Sequence, residues 1–254
     1  MKGLIFYILS MIIAFHAAGD NRIATKQQVK IISELQNQLK DMKQYTAEAV
    51  YEILLPSNDN SIKYHIEMQS VVANDTLSPC NYLISWRYKD NIDKPTEFTS
   101  YSNGKHYRFI NGQLEQFDVI VDSIPFTEKG GCVQLNARFT NLLPALLANE
   151  IEKIANDSIY QYKITDNINY NGIEAVRLNA VETINNFIAR EFTYIFNSKN
   201  SEPLYLEIRS NPETAAELLI TVNYQTTTFP LDFDFSEEAL IERYPNIFLP
   251  YLKN

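Results

Sequence analysis

The chain has 254 residues, a formal charge of −9 and 45% apolar residues. That acidity argues against a nucleic-acid partner, whose capture rests on Lys and Arg neutralising phosphate, and against a basic face for anionic lipid headgroups. Sixteen Tyr and 14 Phe stand against 7 Gly and a single Trp. Rings of this kind favour pleated, half-buried surfaces, so the bias points to strands.

Residues 1–19 read as a cleaved export signal. Lys2 gives a positive start, Leu4 to Phe15 form an apolar stretch broken only by Ser10, and His16-Ala17-Ala18-Gly19 offers small residues for cleavage. The stretch is shorter than the roughly 20 residues a bilayer span needs, so a periplasmic protein without a stable membrane span is expected. Residues 24–43 repeat apolar positions at helical spacing through Val29, Ile32, Leu35 and Leu39. From Tyr45 the period becomes two: Tyr45, Ala47, Ala49, Tyr51 and Ile53 share a face, and Ile62, Tyr64, Ile66 and Met68 share the next. Between them Asn58-Asp59-Asn60 makes a turn. Tyr82, Ile84, Trp86 and Tyr88 alternate likewise, and Asn103-Gly104 and Asn111-Gly112 bracket a strand carrying Tyr107 and Phe109. These strands form an antiparallel meander.

The rhythm breaks over 125–137. A helix is expected within 139–155, beginning at Pro144, which fits only a helix start. Strands resume near 158–165, 173–182, 187–196, 203–209 and 217–225, with Phe192, Tyr194 and Phe196 on one side of the third. Past residue 230, Ser236 caps a short helix over 236–244, with Glu237 and Glu238 in its first turn. The expected division is 1–19 signal, 20–229 one sheet-and-helix domain, and 230–254 a tail with its helix. Helices and an antiparallel meander together make the fold class α+β.

No constellation of catalysis appears. The histidines beyond residue 19, His65 and His106, sit on polar strand faces, and metalloprotease, nucleophile-elbow and nucleotide-loop motifs are absent. Neither cofactor nor metal is implied, and the chain reads as a non-enzyme. Cys80 and Cys132 are even in number, which suits a disulfide in an oxidising compartment; two buried thiols suit the residues equally. The inner sheet face (Tyr64, Met68, Trp86, Tyr88, Tyr107, Phe109, Phe192, Tyr194 and Phe196) must be covered. Either the helices fill it as core, or they leave an aromatic-lined cavity for a ligand.

The order of elements, with Leu83-Ile84-Ser85-Trp86-Arg87-Tyr88, Ser102-Asn103-Gly104-Lys105 and Tyr107-Arg108-Phe109, resembles periplasmic lipoprotein carriers of the LolA/LolB type. Gly172 to Leu178 and Glu202 to Ile208 resemble second-half strands of that family. The resemblance implies a strongly curved antiparallel sheet, a half-open β-barrel with helices plugging its concave face, that holds acyl chains. The nine residues named above would then line the site for an apolar or acylated ligand, lipoprotein or lipid. The tail Phe235 to Pro245 resembles a segment that precedes thioredoxin-like domains in exported Bacteroidetes proteins. An envelope protein partner is the alternative, docking on an apolar patch at the helix 236–244.

Overall fold

In the computed structural model the described residues are 25–55, 60–71, 81–89, 97–102, 105–111, 115–121, 139–212, 214–225 and 234–245; within 101–121 the strands are described but not the side chains. Residues 1–24, Cys80 and Cys132 lie outside them, and with them the export signal and the disulfide.

Helix α1 (Lys26–Lys40) starts where a capping box can form. The Thr25 hydroxyl accepts from the Gln28 amide at 3.2 Å, and the Gln28 side chain accepts from the Thr25 amide at 3.0 Å. Its buried positions, Ile32, Leu35 and Leu39, are three and four residues apart. Four residues after the helix ends the chain is a strand, because alternation has replaced the helical period.

Strands β1 (Gln44–Leu55) and β2 (Asn60–Val71) form a long hairpin, and β3 (Asn81–Tyr88), β4 (Glu97–Ser102), β5 (Lys105–Asn111) and β6 (Glu115–Val121) extend it as an antiparallel meander. A 3₁₀ turn (Thr140–Leu142) leads into α2 (Pro144–Asn156), whose first residue is the proline expected there. Strands β7 (Tyr160–Tyr170), β8 (Ile173–Ile184), β9 (Phe187–Asn197), β10 (Pro203–Ser210) and β11 (Leu218–Gln225) make a second meander. Strand β11 returns to pair with β1, so one 11-stranded antiparallel sheet runs β6-β5-β4-β3-β2-β1-β11-β10-β9-β8-β7. The ends β6 and β7 do not pair with each other, and the curved sheet is a half-open barrel.

Both helices lie on the concave face. Leu35 and Leu39 of α1 and Leu146, Leu147, Ile151 and Ile154 of α2 join one core with Ala49, Ile66, Met68, Ile84, Leu178 and Tyr194. Cross-strand pairing arranges the sheet's contribution in rows. One row is Ile62, Ile53, Ile220, Ile208 and Phe192; the next is Tyr88, Tyr64, Tyr51, Val222, Leu206 and Tyr194. In the first row Ile53, Ile208 and Ile220 are half-buried and Ile62 is exposed, whereas Ile66, Met68, Ile84 and Tyr82, further along the strands, are fully buried. The apolar interior thus opens toward the end of the sheet that holds the β1–β2 and β8–β9 turns.

Helix α3 (Glu237–Arg243) lies on the other face. The Ser236 hydroxyl accepts from the Ala239 amide at 3.3 Å, and Leu240 and Phe235 are buried against Leu83 and Phe98. Tyr244 stacks on Phe98 with centroids 4.6 Å apart. The expectation of an exposed apolar patch on this helix is therefore corrected: its apolar side is spent on the convex surface of β3 and β4. Leu240→Ala is expected to weaken that docking by about 2–4 kcal/mol. Hydrogen exchange would show the amides of 237–243 opening while those of β1, β2 and β11 keep their protection; uniform loss across the sheet would contradict a locally docked helix.

Candidate functional site

The row Tyr88–Tyr64–Tyr51 and its neighbour Trp86 build an aromatic box on the concave face. Each ring is placed by strand alternation, and register sets the rings side by side: Tyr51 opposes Tyr64, Tyr64 opposes Tyr88, and Ile66 opposes Trp86. Tyr64 and Tyr88 have ring centroids 4.8 Å apart. The indole of Trp86 donates from Nε1 to the Glu97 carboxylate at 2.7 Å, which fixes the ring's rotation.

The box is occupied by the chain itself. Phe139, only 6% exposed, lies 4.9 Å from Tyr51, 5.4 Å from Trp86 and 5.6 Å from Tyr64, centroid to centroid. Its edge-to-face angles on Tyr51 and Trp86 are those that ring quadrupoles favour. Phe139 reaches this place in the left-handed region, at φ 66°, which costs a non-glycine residue about 1–2 kcal/mol. The residue stands at the head of the 3₁₀ turn and α2, which together with α1 form the cover, so the occupant is continuous with one part of that cover. The sequence places Phe139 at the edge of the apolar stretch 139–155, ahead of the helix start at Pro144, and nothing in its spacing marks this role.

Of the nine residues expected to line a site, Tyr64, Trp86 and Tyr88 form the box, and Met68 is buried deeper along β2. Phe192, Tyr194 and Phe196 lie on the other half of the sheet, where successive rings on β9 stack at 6.1 Å. Burial pushes the Tyr194 phenol well above its usual range, reinforced by the Glu150 carboxylate on α2. Arg190 caps that stack from 5.3 Å over the Phe192 ring and forms a two-pronged ion pair with Glu182, whose side chain is buried. Phe109 pairs in backbone register with Phe98, and Tyr107 with Ser100, the rows that run with Leu83 beneath α3; their side chains lie outside the described residues.

Among the described residues, polar ties from the cover to the sheet include Gln27 to Asp166 at 3.3 Å, Ser201 to Gln38, and Tyr224 donating to the Leu142 carbonyl at 3.4 Å. The Lys40–Glu152 pair at 2.8 Å joins α1 to α2 rather than to the sheet, and both side chains are about half exposed, so it contributes little. Apolar packing holds the cover down.

The convex face offers a different chemistry. His65 Nε2 stands 3.6 Å from both the Glu48 and Glu67 carboxylates, beside Arg87. The depression lined by His65, Glu67, Ser85, Trp86 and Arg87 encloses about 40 Å³, room for a water molecule and far below the volume of an organic ligand.

No family model matches the chain, and no curated protein matches it. Solved structures do. LprF from Mycobacterium bovis is 8% identical, with 81% of this chain covering 94% of that one at a TM-score of 0.44. MucB in the Pseudomonas aeruginosa MucA/MucB complex is 13% identical, with 83% of this chain covering 60% of that one at 0.43. A LolA superfamily protein from Nitrosomonas europaea is 10% identical, with 83% of this chain covering 98% of that one at 0.34.

Proposed function

We propose that the chain is a non-catalytic carrier that takes an apolar or acylated ligand, a lipid or a lipoprotein acyl chain, into the concave interior. In this reading Phe139 is the resident occupant of the ligand's place. The observation that carries it is the box of Tyr51, Tyr64 and Trp86 closed around a strained Phe139, with Tyr88 packed against Tyr64. A cover held by apolar contact can lift off as one piece, and an acyl chain that replaces its contacts offsets the cost of lifting. The half-buried row of Ile53, Ile220 and Ile208 supplies the approach from the open end. Periplasmic residence would place such a carrier between two membranes, where acyl chains need a protein to cross water.

Delipidated protein is expected to bind a fluorescent fatty-acyl probe saturably, at one or two probes per chain, with quenching of Trp86. A linear, non-saturating response, or saturable binding with no change at Trp86, would remove this reading of the site.

A further inference from the structure

Among the described residues eight large apolar side chains are exposed, and their placement is uneven. Six of them, Leu55, Ile62, Ile159, Ile184, Phe187 and Ile188, collect at one end of the sheet. Leu55 ends β1 and Ile62 lies near the start of β2; Ile184 ends β8, Phe187 and Ile188 begin β9, and Ile159 immediately precedes β7. This is the end toward which the interior opens. Phe187 is 77% exposed, an extreme value for phenylalanine, at a two-residue turn whose Asn185 and Asn186 take φ 52° and 67°. Asparagine tolerates that left-handed pair, so the turn is tight and carries its apolar residues outward at the tip.

Most charges behind this rim are paired. Glu52 pairs with Lys63 at 3.3 Å beneath the first hairpin, Glu182 pairs with Arg190 beneath the second, and between them Arg209 stands 3.4 Å from Glu217 and 4.0 Å from Glu191. From Thr183 to Ala189 there is no charged residue. A chain of net charge −9 thus has an apolar rim behind which the described cations are all paired with carboxylates and the balance is acidic, with Glu191 sharing Arg209 and Asp157 beside Ile159.

We infer that this rim docks on the surface of a lipid bilayer by inserting the β8–β9 tip, with the β1–β2 hairpin as a second foot. The two hairpins are separated by β10 and β11, about 14 Å at ordinary strand spacing. Six side chains, two on the first hairpin, three on the second and Ile159 beside it, fall far short of the 20–30 residues and roughly 800 Å² per partner that a stable protein interface uses. A fluid bilayer accepts separate apolar points at any spacing. The acidic chain does not favour anionic headgroups, so the docking is apolar and needs no anionic lipid.

The inference stands apart from ligand binding in the interior, and the experiment separates them. The purified full chain is sedimented with phosphatidylcholine vesicles, alongside Phe187→Ser/Ile188→Ser and, as a control at the opposite end, Ile173→Ser. Wild type and the control should co-sediment, and the double variant should lose tenfold or more in partitioning while its thermal transition and acyl-probe binding stay unchanged. Ile62→Ser, on the other hairpin, should reduce partitioning by a smaller factor. Absence of wild-type sedimentation, a requirement for anionic lipid, equal sedimentation of the double variant, or concentration-dependent self-association that the double variant abolishes would each overturn the docking. Acyl-probe binding that persists in those cases leaves the carrier reading standing, and its loss with vesicle docking intact removes that reading alone.

Discussion

Phe139→Ala is expected to produce two changes of opposite sense: a fold less stable by about 3–4 kcal/mol, and a fatty-acyl probe that binds about tenfold more tightly. The first follows from removing a buried ring from a packed box, where Phe→Ala typically costs about 3–5 kcal/mol. The alanine stays at φ 66°, so the backbone strain is not relieved and does not offset the loss. The second follows because a ligand entering wild type must first displace the ring from Tyr51, Tyr64 and Trp86. With the ring gone that cost disappears, and about 1.4 kcal/mol of it equals a factor of ten in affinity. Denaturant titration reads the first quantity and probe fluorescence the second. Phe139→Leu, which keeps apolar volume, should sit between wild type and alanine in both. If alanine weakened the probe in proportion to stability, Phe139 would be ordinary core and the box no ligand site.

Why the ring was illegible in the sequence, while most of the fold was legible, has a physical reason. Period-two alternation is a property of the backbone, so Tyr45 to Ile53, Ile62 to Met68 and Tyr82 to Tyr88 disclose both their strands and their buried face. Helix ends carry their own chemistry, and Pro144 and Ser236 stand where the structure starts two of its helices. Alternation identifies two faces without saying what covers each. Tyr107 and Phe109 are apolar like Trp86, yet their register follows Phe98, because α3 from the far end of the chain makes the convex face apolar there. The exposed rim escapes notice for a related reason: Phe187 and Ile188 read as the start of a core strand and Ile184 falls between two expected strands, and only the assembled sheet shows that nothing described lies beyond them. Long-range partners decide each of these cases, and a local pattern holds no record of them.

The same buried aromatics make the protein sensitive to alkali. Burial raises the phenols of Tyr45, Tyr194 and Tyr224 above their usual value near 10; for Tyr45 and Tyr224 neighbouring tyrosines add to the effect, and for Tyr194 the Glu150 carboxylate does. A folded-state value raised above the unfolded one contributes stability that is whole below about pH 10 and is lost as pH climbs toward the folded value, because the unfolded chain alone releases the protons. Each such group removes up to about 1.4 kcal/mol per pH unit between its unfolded and folded values, and the losses add. A domain stable by about 5–15 kcal/mol is then expected to unfold cooperatively within two or three units above pH 10. Phenolate absorbance should rise in two stages, a gradual one from exposed tyrosines and a steep one coincident with loss of far-ultraviolet circular dichroism. Tyr45→Phe sharpens the test, since the Tyr45 hydroxyl is buried and makes no hydrogen bond in the structure. Losing it should leave stability at neutral pH within about 0.5 kcal/mol of wild type or slightly above, and should make the alkaline loss of stability less steep. A gradual titration of all tyrosines near pH 10 with the sheet intact would mean that water reaches the interior freely. The cover formed by α1 and α2 would then be open in solution, with the aromatic box already vacated by Phe139.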